Sequence, residues 1–345
     1  GYEEKKYDER KYAKKISKNL NIQNFTSICK PKDVNKYFID TLIMQDEPFT
    51  SFRQISHHKL YSDFKDTGST VILEASGGDE IGAGYKGFLW PNFLDQVKVL
   101  GYKRAFNNLV SSLDLKINSL ELENFINSSI ENQKAYGTCT SDGSRIIDED
   151  CIEKNFLFMY DKGKPLYDRP FENNLQNSQY IEFFHTKLPR GLRYIDRASS
   201  SSGREARVPL LSKDIVEFCF SLPNNLKIRQ NELRWFMKKT SKLISKNFIN
   251  LDNKRSIADP QRVWIKKDFK KMFYKLFKSK RFNERQIFQQ DKVLKLFENF
   301  LKNKGSHSLG IFQIFITEIW FRLFIDNRPD YFKGAKLDEF IYETN

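Results

Sequence analysis

The sequence predicts an α/β fold, with a parallel sheet in its first part and a largely helical C-terminal portion. Three observations carry that expectation. Thr70-Val71-Ile72-Leu73 is a short, continuous, β-branched apolar run, the pattern of a strand buried in a parallel sheet. It runs straight into Glu74-Ala75-Ser76-Gly77-Gly78-Asp79-Glu80, a strand end rich in glycine and carboxylate. On either side apolar residues recur at helical spacing, and from residue 92 onward no further strand is evident. Helix and buried strand in alternation, then a helical run, is the pattern of an α/β domain.

Taken in order, residues 8–20 predict a helix opened by Asp8. Lys14, Lys15 and Lys18 lie towards its C-terminal end, where the helix dipole favours cations. Residues 25–29, aromatic and β-branched, predict a short strand. Pro31-Lys32-Asp33 marks a turn, and residues 34–44 a second helix. Asp46-Glu47-Pro48 ends that helix, because proline pushes the residue before it out of helical geometry. A third helix is expected within residues 53–64. Much later, Phe269, Met272, Phe273, Leu276 and Phe277 share one face of a helix. Residues 309–324 are the most apolar late stretch, interrupted by Gln313, Glu318 and Arg322. They read as a buried amphipathic helix and not as a membrane span. One domain over 1–330 is expected, α/β over 1–90 and mostly helical over 91–330, followed by a tail over 331–345.

Composition narrows the class. The 345 residues carry 58 Lys+Arg against 44 Asp+Glu, a formal net charge of +14. With 31 Phe and 15 Tyr the chain has the bulk for a core, which argues against disorder. Only 16 Gly, 10 Pro and 4 Cys argue against a collagen-like or disulfide-framework protein. Cys29, Cys139, Cys151 and Cys219 form no C-x-x-C pair, and with 4 His they build no local metal cluster. Isolated thiols and the lack of an apolar leader in residues 1–6 point to a cytoplasmic location. The charge raises nucleic acid as a partner. Its densest run, 266–281, sets lysines opposite the apolar stripe just described, as on a solvated helix face, and no nucleic-acid motif accompanies it. Neither nucleic acid nor a membrane is an expected partner.

The strand end has a physical use. Loops at the carboxyl ends of parallel strands form the crevice where nucleotides bind. Ser76, Gly77 and Gly78 let backbone amides approach a ligand without side-chain obstruction. Asp79 and Glu80 supply hard oxygens of the kind Mg²⁺ takes beside phosphates. Neither G-x-x-x-x-G-K-[ST] nor G-x-G-x-x-G occurs there. On these residues alone, a plain strand-to-helix turn with Asp79 as helix cap explains the segment equally well.

Longer patterns go further. Leu73, Gly77, Asp79, Glu80, Ile81, Gly84 and Tyr85 fall on L-S-G-E-G-[SA]-D-E-[LVI]-F-G-G-Y. Asp196-Arg197-Ala198-Ser199 and Glu205-Ala206-Arg207-Val208-Pro209-Leu210-Leu211 fall on D-R-x-S-x(5)-E-[AV]-R-V-P-F-L-D. Val216-Glu217-Phe218, Ser221-Leu222-Pro223 and Leu226-Lys227-Ile228 continue the second pattern, and Asp46-Glu47-Pro48-Phe49 precedes the first. Lys254, Pro260 and Trp264 fall on R-x-K-x-G-F-x-x-P…W, and Trp320 suits a terminal helix. In these segments, ordered over residues 7–325, the chain resembles the synthetase domain of glutamine-dependent asparagine synthetases and their relatives.

That resemblance implies an adenine-nucleotide α-hydrolase-like (HUP-type) domain. It implies an ATP-dependent ligase, with Mg²⁺, that activates aspartate or a related carboxylate as an acyl-adenylate. Ammonia from a separate glutaminase domain then gives the amide. A small-molecule carboxylate substrate and that glutaminase are the implied partners, and a homodimer is allowed. Asp79 is implied as a carboxylate on the metal and pyrophosphate side, with Glu80 beside it. Glu74, Ala75 and Ser76, with Gly77 and Gly78, would lie against the nucleotide. Lys254 would be the cation at pyrophosphate and the tetrahedral intermediate, and Tyr85 an orienting or proton-transfer group. Plainer readings stand beside these: Asp79 as a cap, Tyr85 as a packed aromatic, Lys254 as a solvated lysine. Glu205 and Arg207 are expected to form a buried structural ion pair, and His57 and His58 to serve in packing.

The sequence also departs from the family pattern. Ser76 stands where the pattern carries its first Glu, Glu74-Ala75 replaces S-G, and Ser256-Ile257 replaces G-F. Ser199-Ser200-Ser201-Ser202-Gly203 stands for S-M-A-H-S. Such drift suits an acceptor other than free aspartate, such as a sugar acid, or a non-catalytic paralogue. No S-G-G-x-D-S occurs anywhere in the chain. The expectation is therefore a domain lacking its first strands and half of its ATP site, inactive and marginally folded alone.

Overall fold

Asp8 opens the first helix: its carboxylate accepts from the Arg10 amide at 3.2 Å and from the Arg10 guanidinium at 2.7 Å. Helix α1 (Arg10–Leu20) ends where Asn21 turns left-handed. The computed structural model describes residues 1–113, 149–160, 167–229, 232–244, 259–304 and 308–344. In α2 (Pro31–Gln45), Pro31 is the first helical residue and not a turn ahead of the helix. Its missing N–H is one that a first turn leaves unused anyway, and Asp33 accepts from the Lys30 amide at 2.9 Å. Asp46, at φ 59°, closes α2 ahead of Pro48, and α3 (Arg53–Asp63) follows.

Strand β1 (Val71–Leu73) leads into α4 (Gly78–Gly82), α5 (Leu89–Leu100), α6 (Tyr102–Leu113), α7 (Lys154–Tyr160), α8 (Asn174–Phe184) and α9 (Lys187–Ser200). Strand β2 (Glu205–Arg207) then pairs in parallel with β1, Ile72 opposite Ala206. This corrects the expectation of no strand after residue 92. Glu-Ala-Arg has no strand pattern of its own, and the ladder imposes one on it. The Glu205 amide donates to Thr70 O at 2.9 Å, and the Glu74 amide to Arg207 O at 2.8 Å. Nor is β1 buried as its composition suggests: Val71 is 37% and Leu73 71% exposed. Among the described residues, β2 is its sheet neighbour, and the face carrying those two side chains is only partly covered, least of all at Leu73. The strand expected at 25–29 contracts to one parallel bridge, Cys29 with Tyr2.

After β2 come α10 (Lys213–Ser221), α11 (Asn224–Lys227), the antiparallel pair β3 (Ile228–Arg229) and β4 (Glu232–Leu233), and α12 (Trp235–Ile244). The basic stretch is three short helices and not one: α13 (Gln261–Lys267), α14 (Lys270–Phe277) and α15 (Lys280–Glu284). Ser279 makes the last break by accepting from the Phe282 amide at 3.2 Å. The apolar stripe survives the breaks, since Phe269, Phe273, Leu276 and Phe277 are buried while Lys270, Lys271, Lys275 and Lys278 face water.

The main core joins the start of the chain to its end. Phe38, Phe49 and Phe52 from the α2–α3 region meet Phe269, Phe273, Phe312 and Phe315, and Phe273 stacks on Phe315 with centroids 3.9 Å apart. Each such ring contributes about 1.5–3 kcal/mol by leaving water. Phe312 and Phe315 lie on α17 (Ser308–Trp320), which follows α16 (Gln290–Leu301). Among the described residues, residues 308–325 are the one helical stretch long and apolar enough to cross a membrane, and here Ile311, Ile314, Ile316 and Ile319 fill the core. Residues 331–345 include α18 (Leu337–Glu343), whose Leu337, Phe340 and Ile341 are buried as it packs on α2. A smaller cluster around Phe88, Trp90, Phe93, Leu175 and Ile228 lies under α5, α6 and α8.

Within the main core sits one set of buried charges. Glu318, 1% exposed, meets Arg322 at 2.8 Å and Arg285 at 2.7 Å, and Arg322 donates to Ser279 Oγ at 2.7 Å. Removing the Glu318 charge takes this carboxylate partner from the buried Arg322, while Arg285 keeps Asp326 at 2.6 Å. Glu318→Gln is expected to lower the unfolding free energy by about 3 kcal/mol in denaturant titration.

Candidate active site

The turn after β1 is shaped by its neighbours. Glu74 accepts from the buried Tyr61 hydroxyl at 2.6 Å, which ties this carboxylate towards α3. Ala75 is exposed and Ser76 half-buried. Gly77, at φ +89°, is the N-cap of α4, a backbone state that side chains rarely adopt. A Cβ there would lie 2.1 Å from Leu211 Cδ2, and one on Gly78 would lie 3.1 Å from Leu210 Cδ1. The space that a side chain on Gly77 would take is filled by Leu211. The glycines bring the G-G-D-E turn against the E-A-R-V-P-L-L segment that follows β2.

Asp79 and Glu80 are adjacent on α4 and point into different surroundings. Asp79 meets the Arg234 guanidinium at 3.3 Å. Gly84 makes room for it, since a Cβ there would sit 1.9 Å from Asp79 Oδ1, and the Gly84 amide donates to Asp79 O at 2.7 Å. Glu80 is 4% exposed and accepts from the Tyr85 hydroxyl at 2.7 Å. Burial raises its carboxyl above the ordinary glutamate value, and the Tyr85 hydrogen bond works the other way. The Lys187 ammonium lies 4.0 Å from the centroid of the Tyr85 ring. Behind Glu80, the fully buried Gln179 of α8 donates to the carbonyls of Glu80 at 2.8 Å and Ile81 at 2.9 Å. Its Oε1 accepts from Lys227 at 3.1 Å, and burial pushes that ammonium down to about 8.

The structure thus brings Glu74, Ala75, Ser76, Gly77, Gly78, Asp79, Glu80 and Tyr85 onto one turn. Lys254 lies outside the described residues. The motif residues after it fold as a helix start: Pro260 is the N-cap of α13, and Trp264, 1% exposed, donates its indole N–H to Glu4. Glu205 and Arg207 do pair, at 2.8 Å, but with side chains 61% and 59% exposed. This corrects the expectation of a buried pair, because alternate residues of β2 turn outward. His57 and His58 serve in packing, His58 against Thr41 Oγ1 at 2.9 Å, and burial pushes His57 down to about 3. Among the described residues, no group of three or more His, Cys, Asp or Glu could hold a metal ion.

The family model for asparagine synthase matches residues 1–322. The chain belongs to the asparagine synthase family. Asparagine synthetase [glutamine-hydrolyzing] 1 of Bacillus subtilis (strain 168) is 22% identical over 341 residues, which cover 95% of this chain and 52% of that protein. The chain therefore spans about half the length of the curated relative that it matches. Asparagine synthase domains have the adenine-nucleotide α-hydrolase fold, and the parallel β1–β2 pair flanked by helices is compatible with it.

Four residues at this asparagine-synthase turn escape the sequence reading of its chemistry: Arg234, Lys187, Gln179 and Lys227. Arg234 is held left-handed at φ 55°, and Lys187 opens α9 ahead of the D-R-x-S motif. Lys227 lies in the matched L-K-I pattern, which says nothing of its depth.

The buried carboxyl of Glu80 has a testable consequence. Its raised value means that the native state keeps this proton to higher pH than the unfolded chain does. Stability from this group is present below the ordinary glutamate value and is lost as pH rises through the raised one. Glu80→Gln keeps an acceptor for Tyr85 and cannot ionise. It is expected to exceed the wild type in stability at about pH 7 and to match it at about pH 4, read by denaturant unfolding at both.

Proposed function

We propose that this chain supplies the synthetase portion of an ATP-dependent amide ligase that activates a carboxylate and transfers it to ammonia. The observation that carries this reading is the Asp79–Arg234 pair at the carboxyl end of β1, packed against the segment after β2 in a member of this family. In the proposed reaction a carboxylate oxygen of the acceptor attacks the α-phosphorus of ATP, and the bond to pyrophosphate breaks. Ammonia then attacks the acyl carbon, AMP leaves, and an amide remains. The relative's name describes it as glutamine-hydrolysing, and it is twice as long, which supports a glutaminase outside this chain as the ammonia source.

The residues fit this chemistry in a definite way. Mg²⁺ is held by one or two carboxylates together with phosphate oxygens, and it neutralises a leaving pyrophosphate. Asp79, half-buried and supported by Gly84, is the carboxylate that fits such an ion. Arg234 is the cation beside it and would meet the phosphate oxygens. Glu80, held inward by Tyr85, positions the turn and does not face the reacting atoms. Lys187 keeps Tyr85 in place through its ring and adds positive charge at the mouth of the turn.

Ser76 favours an acceptor other than free aspartate, such as a sugar acid. It brings no negative charge to the place where the family pattern has Glu, and Tyr61 holds the nearby Glu74. The exposed apolar side chains of Val71 and Leu73 support a further element packed over that face of β1.

Pyrophosphate release by the full-length protein, with ATP, Mg²⁺, ammonium and a panel of carboxylates, tests the proposal. Asp79→Asn is expected to lower that release about 100-fold. Wild-type release by the variant, or ADP as the nucleotide product, would contradict it.

A further inference from the structure

Helix α4 has five residues, too few to be stable by itself. The carbonyls near its C-terminal end need partners from outside the helix. The Gly84 amide takes Asp79 O, and Gln179 Nε2 takes Glu80 O and Ile81 O. Gln179 and Lys227 are each 0% exposed, so water does not do this work.

We propose that Gln179 and Lys227 form an orienting device for the acidic turn, in which the Lys227 ammonium fixes the Gln179 amide and the amide fixes α4 with its Asp79. The chemistry allows one arrangement. Both α4 groups that Gln179 meets are carbonyls, which only accept, and an ammonium only donates. The amide must turn its NH₂ to α4 and its oxygen to Lys227. Were the amide flipped, oxygen would face two carbonyls and NH₂ would face the ammonium. A neutral side chain at 227 would leave the flip far less penalised.

The two residues are delivered together by a shared anchor. Asp95 accepts from the Asn174 and Leu175 amides at the start of α8, at 2.8 and 3.0 Å. It also accepts from the Asn224 side chain at 3.0 Å, at the start of α11. Gln179 lies one turn further along α8, and Lys227 ends α11. Burial of an ammonium beside the Phe220 ring is costly, and an apolar side chain would fill the same space. The cation is explained by the amide it holds. Gln179 and Lys227 are positioning residues, and the effect on catalysis rests on the reading of Asp79 given above.

Hydrogen exchange of residues 78–84 in the full-length protein, followed by mass spectrometry, tests this without substrate. Gln179→Met and Lys227→Met should each speed exchange at the turn about ten-fold or more, with residues 311–319 as protected as in the wild type. The double variant should add nothing to Gln179→Met, and Lys227→Arg, which keeps a cationic donor, should restore protection. Lys227→Leu replaces Lys227→Met, with the same expectations, where the latter does not fold. Unchanged exchange in the neutral Lys227 variant, a double variant equal to the product of the singles, or an unrestored Lys227→Arg would each overturn the proposal. A protein that shows the expected exchange and releases no pyrophosphate would refute the ligase reading and leave the device standing.

Discussion

The parallel ladder between Val71–Leu73 and Glu205–Arg207 is the constraint on which the rest of the site depends. It joins two segments far apart in the chain, and neither makes a sheet without the other. Once Ile72 lies opposite Ala206, the residues that follow each strand must meet. Leu210 and Leu211 then occupy the space beside Gly78 and Gly77, and α4 starts in the one direction that this packing leaves. A side chain at Gly77 or Gly84 would collide with Leu211 or with the Asp79 carboxylate. Backbone geometry thus sets where the acidic pair stands before any ligand is considered.

Charge is then divided within that pair. Asp79 keeps a guanidinium partner and partial access to water. Glu80 is desolvated and held by a tyrosine hydroxyl, so ionising it has a cost that the fold must offset elsewhere. The buried Glu318–Arg322–Arg285 set illustrates the opposite solution, in which buried charges satisfy one another inside the aromatic core and take no part in the site. Among the described residues, the lysines of α14 lie on a solvated helix face. At the turn, Arg234, Lys187 and Lys227 are the cations that the geometry singles out.

How much of this was legible in the sequence depends on how local each cause is. Asp8 and the Asp46–Pro48 break mark helix ends through bonds to their own neighbours, so α1 to α3 could be read. The stripe from Phe269 to Phe277 could be read as a buried face, but its interruption at Ser279 depends on a cap that periodicity does not show. Strand β2 could not be read, because Glu-Ala-Arg is a strand only by virtue of β1. The exposure of Leu73 was hidden for the converse reason: a β-branched run reports what could cover a strand and not what does. At the site, Asp79, Glu80 and Tyr85 were legible because one turn carries all three. Arg234, Lys187 and Gln179 come from distant segments with no motif spacing to the turn. The L-K-I pattern exposed Lys227 as a position without revealing its contact with Gln179.

The central claim is that the turn after β1 serves the activation of a carboxylate as an acyl-adenylate. The most direct measurement follows an oxygen atom. A carboxylate acceptor labelled with ¹⁸O is incubated with the full-length protein, ATP, Mg²⁺ and ammonium, and the nucleotide products are examined by mass spectrometry. Attack of the carboxylate on the α-phosphorus leaves one labelled oxygen in AMP once ammonia displaces it, and that is the expected result. Label in inorganic phosphate, with ADP formed and AMP unlabelled, would contradict the account.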